Sequence, residues 1–134
     1  MQRFTELEVW KRGHALALDI YRATKSFPDD ERFGLVAQLR RAAVSVPANI
    51  AEGARRQHRT DFARFLNIAE GSLAEVECLL RLSLDLGYAA PADSERLTDP
   101  ISQLSRMLIA LRTSVETAHA RTRVERPRSK ARDS

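Results

Sequence analysis

The sequence predicts an all-α protein: an antiparallel up-and-down four-helix bundle with a kinked second helix. Three observations carry that prediction. Apolar residues recur at helical spacing in four stretches, and no β-branched run alternates as a strand would. Ala, Leu, Arg and Glu are abundant, whereas glycine and proline number only five each among 134 residues. The links between apolar stretches are short, which makes successive helices antiparallel neighbours. At this length one domain is expected, with the bundle over 1–120 and a disordered basic tail over 121–134.

The first helix is expected from about Glu8 to Lys25. Trp10, Ala17, Ile20, Tyr21 and Thr24 share a face, with Leu16 beside it and Gly13 on the same seam, where it permits close packing. Pro28 stops this helix, Asp29 or Asp30 caps the next, and Phe27 and Phe33 are expected to pack across the corner.

The second helix, ending near His58, places Leu35, Leu39, Val46, Ile50 and Gly53 on one side. Arg41, Ala48, Glu52, Arg55 and Arg59 fall opposite, with Arg56 close by. The apolar positions keep their phase across Pro47, so a kinked single helix is expected rather than two. Asn49 and Glu52 follow the kink and are expected to hold exposed backbone or a neighbouring guanidinium.

The third helix, about Asp61 to Leu86 with Thr60 as its cap, carries Phe62, Phe65, Leu66, Ala69, Leu73, Val76, Leu80 and Leu84 on one face. A second apolar strip, Ile68, Leu79, Leu82 and Leu86, lies well off it. One core needs one stripe. The strip therefore points either to another subunit or to a wider contact within the chain. Gly87 reads as the stop of this helix. Asp93 or Ser94 caps the fourth, which Pro100 delays to near Asp99. Ile101, Leu104, Leu108, Leu111, Val115 and Ala118 then repeat regularly to about Arg121.

Charge narrows the function. The net charge of +4 belongs to 121–134, where six Arg/Lys face two Asp/Glu; the preceding 120 residues hold 16 of each. Within the body, Arg40, Arg41, Arg55, Arg56, Arg59 and Arg64 cluster between positions 38 and 64 against Glu52 and Asp61. No apolar run approaches the roughly 20 residues of a membrane span, no apolar signal segment opens the chain, and the lone Cys78 suits a reducing cytoplasm. No catalytic residue, metal site or cofactor is expected. A carboxylate di-metal site needs two Glu-x-x-His pairs, and the chain has one, Glu116 to His119. Cys78 is far in sequence from every histidine, and Gly53 and Gly71 are isolated rather than parts of a phosphate loop.

The runs Val9-Trp10-Lys11, Phe27-Pro28, Glu31-Arg32-Phe33-Gly34-Leu35 and Gln38-Leu39-Arg40-Arg41-Ala42-Ala43 through Pro47-Ala48-Asn49-Ile50-Ala51-Glu52-Gly53 resemble a bacterial four-helix-bundle family. Its members are often encoded in intervening sequences of large-subunit ribosomal RNA genes. The resemblance covers roughly residues 5 to 118. It implies a ring-like homopentamer. A related branch, the accessory variability determinant of diversity-generating retroelements, is a basic pentameric barrel that binds nucleic acid and reverse transcriptase; here the body is charge-neutral. The expectation is a cytoplasmic, non-enzymatic oligomer with RNA or DNA bound by Arg40, Arg41, Arg55, Arg56 and Arg59. Asn49 and Glu52 are expected to be structural, and Ile68, Leu79, Leu82 and Leu86 to form the subunit interface. The alternative is a scaffold that recruits a reverse transcriptase or another protein.

Overall fold

A computed structural model describes residues 3–125, with side chains through Thr122. Four α-helices, α1 Glu8–Thr24, α2 Leu35–Ala54, α3 Arg59–Asp85 and α4 Pro91–Glu125, form the bundle. Single 3-10 turns, Phe4–Glu6 and Asp29–Glu31, precede α1 and α2. Each helix packs on its neighbours around the ring, α1 on α2, α2 on α3, α3 on α4 and α4 on α1, while the diagonal pairs stay apart. This is the neighbour pattern of an up-and-down bundle. Ile20, Leu39, Val46, Ile50, Leu66, Val76, Leu97 and Leu108 fill its centre, each completely buried.

The helix boundaries show local chemistry overriding pattern. Thr24 is the last residue of α1 and donates its hydroxyl to the Ile20 carbonyl at 2.7 Å. Asp29 and Asp30 do not cap α2; with Glu31 they form the 3-10 turn. The cap comes from Glu31, whose Oε2 accepts from the Leu35 N–H at 3.1 Å. Gly34 leaves room for that carboxylate, since a Cβ there would sit 3.0 Å from Glu31 Oε2. The corner keeps Phe27 buried near Tyr88, ring centroids 6.3 Å apart, but turns Phe33 out to 89% exposure, against expectation.

Helix α2 runs through Pro47 without interruption. Proline cannot donate to the carbonyl four residues back, and Asn49 adds a bond one turn away: its Nδ2 donates to the Ser45 carbonyl at 2.7 Å and to Ser45 Oγ at 2.9 Å. Ser45 Oγ also bonds Ser72 Oγ on α3 at 2.8 Å, tying α2 across to its neighbour. On the other side α1 approaches closely, because Gly13 has no side chain. A Cβ there would lie 3.3 Å from Val46 Cγ1 and 3.5 Å from the Pro47 nitrogen.

Helix α2 ends at Ala54 rather than His58, and α3 begins at Arg59, so Thr60 lies inside α3 and caps nothing. Gly87 does stop α3, with φ 78° and the Ser83 carbonyl accepting from the Tyr88 and Ala89 N–H groups. Helix α4 starts at Pro91, earlier than Pro100 suggested. Proline suits the first helical position, where its missing N–H has no partner to lose, and the helix carries Pro100 in its exposed flank. It continues to Glu125, past Arg121; the rest of the basic tail lies outside the described residues.

Candidate nucleic-acid interface

The five arginines expected to form one row occupy three different settings. Arg40 is fastened to α1. Its Nε donates to Thr24 Oγ1 at 2.9 Å, an Nη donates to the Tyr21 carbonyl at 3.3 Å, and its guanidinium lies 4.6 Å over the Tyr21 ring. This arginine is a strut between α1 and α2, and the groups that hold it are neutral. Arg41, one residue on and 100° around, is exposed and has no ion pair among the described residues.

The remaining arginines meet at the corner between α2 and α3. The turn is tight because Gly53 lets the two helices touch: a Cβ there would stand 2.7 Å from Phe65 Cβ and 3.0 Å from Phe62 Cδ2. Arg55 lies 5.5 Å over Phe4, and Arg56 lies 5.0 Å over the ring of Phe65. Arg64, absent from the expected set, lies 4.6 Å over the same ring. Arg59 belongs to the first turn of α3, not to α2, and donates to Thr122 on α4 at 3.3 Å. These aromatic rings support the guanidinium groups from beneath while leaving their edges toward water, the usual geometry of an arginine–aromatic contact.

Glu52 holds a guanidinium one turn along the chain. It pairs with Arg56. Among the described residues, Arg55, Arg59 and Arg64 have no carboxylate within ion-pair distance. Two open clefts lie beside Arg59 and Arg64. One, of about 690 Å³, is lined by His58, Arg59, Thr60, Asp61, His119 and Thr122. The other, of about 330 Å³, shares Arg59, Thr60 and His119 and adds Arg64 and Asn67. His119 Nε2 and Thr60 Oγ1 stand 3.4 Å apart. Arg112 at the edge of the second cleft is already committed: it pairs with Glu70 on α3 and with Glu116. The Glu70 bonds foremost, then those to Glu116, hold its pKa above the ordinary arginine value. Glu116 is thus used structurally, and no group of three His, Cys, Asp or Glu that could hold a metal occurs among the described residues.

The expected interface strip also divides. Ile68, Leu82 and Leu86 are 41%, 46% and 51% exposed, whereas Leu79 is buried in the bundle at 8%. Because α3 packs on both α2 and α4, its buried stripe is wider than one face, and Leu79 belongs to it. No helix among the described residues is long and apolar enough to cross a membrane.

The sequence matches the model of the 23S rRNA-intervening sequence protein family over residues 5–110. The chain belongs to that family. A solved structure from Bacteroides thetaiotaomicron, described as a protein of unknown function from the S23 ribosomal protein family, is 27% identical. It covers 77% of this chain and 96% of its own, with a TM-score of 0.71. No curated protein matches. The family match spans all of α1, α2 and α3 and α4 as far as Ala110, so the corner that gathers Arg55, Arg56, Arg59 and Arg64 lies within the 23S rRNA-intervening sequence protein region.

Proposed function

We propose that this protein is a non-enzymatic, cytoplasmic bundle that binds RNA or other nucleic acid through the α2–α3 corner, and that it works as a homo-oligomer, by family resemblance a pentamer. The observation that supports the reading best is the set of Arg55, Arg59 and Arg64 without ion pairs, the last two lining open clefts whose only uncommitted carboxylate is Asp61 among the described residues. A guanidinium presents donors that match phosphate oxygens. Groups already seated on aromatic rings lose less freedom when a phosphate arrives. Repetition of the corner around a symmetry axis adds the fields of several such clusters. The exposed Ile68, Leu82 and Leu86 supply an apolar surface for the contact between copies.

The test is binding to labelled RNA across a salt series. Affinity that falls steeply with salt, and falls again when Arg55, Arg59 and Arg64 become glutamate, supports the reading. Affinity indifferent to both removes it. Ile68, Leu82 and Leu86 also favour a second reading, a scaffold for another protein, which predicts a partner retained after nuclease treatment.

A further inference from the structure

At the opposite end of α2 from the corner stands Phe33, 89% exposed in an otherwise well-packed turn. A groove of about 490 Å³ lies on one side of it, lined by Tyr21, Arg32, Val36, Arg41 and Val44 among others, with no carboxylate in its lining. A second groove, of about 450 Å³, lies on the other side and shares Phe33 and Arg41, with Gln38 and Glu75 at its walls. Phe33 is therefore the ridge between two grooves, and Arg41 reaches both. The Arg32 guanidinium sits 5.5 Å from the Phe33 ring centroid. Neither Arg32 nor Arg41 has an ion pair among the described residues. Arg40, locked over Tyr21, fixes the floor of the first groove rather than joining its ligand set.

From this arrangement we infer that the Phe33 ridge is a stacking site for an unpaired base, with Arg32 and Arg41 receiving the flanking phosphates. The inference rests on the nucleic-acid reading above and specifies the strand: single rather than duplex. An occupant has to satisfy two conditions together. It has to cover the exposed face of an aromatic ring, and it has to bring negative charge to two guanidinium groups that share the first groove, whose lining holds no carboxylate. A purely apolar protein surface meets the first and leaves two desolvated cations unanswered. Duplex nucleic acid meets the second but keeps its bases stacked on one another. An unpaired strand meets both, because each nucleotide carries a flat π-face and a phosphate.

The path onward suits the same ligand. Arg41, Val44, Ala48 and Arg55 lie on one exposed side of α2. Glu52, on the same flank, is paired with Arg56. The distance from Arg41 to Arg55 is about 21 Å at the α-helical rise of 1.5 Å per residue. At the roughly 3.4 Å axial rise of a duplex strand about six nucleotides span that distance, and a more extended unpaired strand needs fewer.

The experiment compares a labelled oligo-uridylate with a labelled RNA duplex of matched length, using the full chain. Wild-type protein is expected to favour the single strand. Phe33→Ala is expected to cost the single strand about tenfold and the duplex almost nothing, and Phe33→Trp to restore the preference. Arg55→Glu with Arg59→Glu is expected to weaken both probes. If the corner variant weakens binding while Phe33→Ala leaves the single strand unchanged, the stacking site is overturned and the corner stands. If wild-type protein binds neither probe, both fall. A Phe33→Ala variant that sediments as a smaller particle also overturns the inference, because the ring is then covered by a second copy, and so does loss of an acidic protein partner with strand binding intact.

Discussion

The two ends of α2 use the same pair of side-chain types in opposite ways. At the C-terminal end, Phe4 and Phe65 lie beneath Arg55, Arg56 and Arg64, so the rings are supports and the guanidinium edges are what a ligand meets. At the N-terminal end, Arg32 also lies 5.5 Å over the Phe33 ring, but that ring is 89% exposed and offers its other face to solvent. Arg40 marks the boundary between these uses, since two of its donors and the face of its guanidinium are held by neutral groups of α1. Proximity of arginine to an aromatic residue therefore does not define a binding mode. What matters is which of the two the bundle has buried.

The largest effect comes from breaking both ends together. Ile50 is fully buried between them, and Ile50→Ala is expected to destabilise the bundle by about 2–5 kcal/mol in denaturant unfolding, with binding lost only as the protein unfolds. Next is the corner. Gly53→Ala gains about 1 kcal/mol of helix propensity, but its Cβ meets Phe65 Cβ, which cannot swing away. Overpacking costs typically 1–3 kcal/mol, so a net loss of about 1 kcal/mol is expected, together with weaker RNA binding at temperatures where the fold is intact.

Arg40 and Arg41 sharpen the comparison between adjacent positions. Arg40→Ala is expected to lower stability by about 1–2 kcal/mol, by loss of the Thr24 and Tyr21 contacts, with little change in RNA affinity. Arg41→Ala is expected to do the reverse, moving stability by less than about 0.5 kcal/mol while weakening single-strand binding. Equal effects of the two on unfolding midpoint would erase the distinction. The smallest effect is in the salt slope: each phosphate contact removed should reduce the slope of log affinity against log salt by about 0.7 for a single strand.

The four helices were legible because their signals are local or periodic. Gly87 stops α3 with the positive φ that glycine tolerates, and Leu39, Leu66 and Leu104 are core by phase alone. What failed depended on partners that periodicity does not see. The run of arginines along the sequence puts Arg40 and Arg41 into one binding set, but only the fold brings the Thr24 hydroxyl to Arg40. Arg59 moved to α3 because no glycine or proline marks the break between Ala54 and Arg59. Leu79 was read as surplus because α3 serves two neighbours, not one. Phe33 was expected inside because aromatic residues usually are. Its exposure follows from Glu31, which turns the chain back to cap α2 and leaves the next-but-one side chain outside.

The N-terminal turn has a practical use. Trp10 is the only tryptophan, and it is stacked 4.8 Å from His14 with Phe4 set edge-on at 5.2 Å. Arg55 closes that column from the other side of Phe4. A ligand that lifts Arg55 away disturbs the column at its far end, so the indole's emission should report occupancy of the corner without any attached dye. The groove beside Phe33 holds Tyr21 but no tryptophan. With excitation selective for the indole its occupation should leave the emission unchanged, so the corner can be followed by itself.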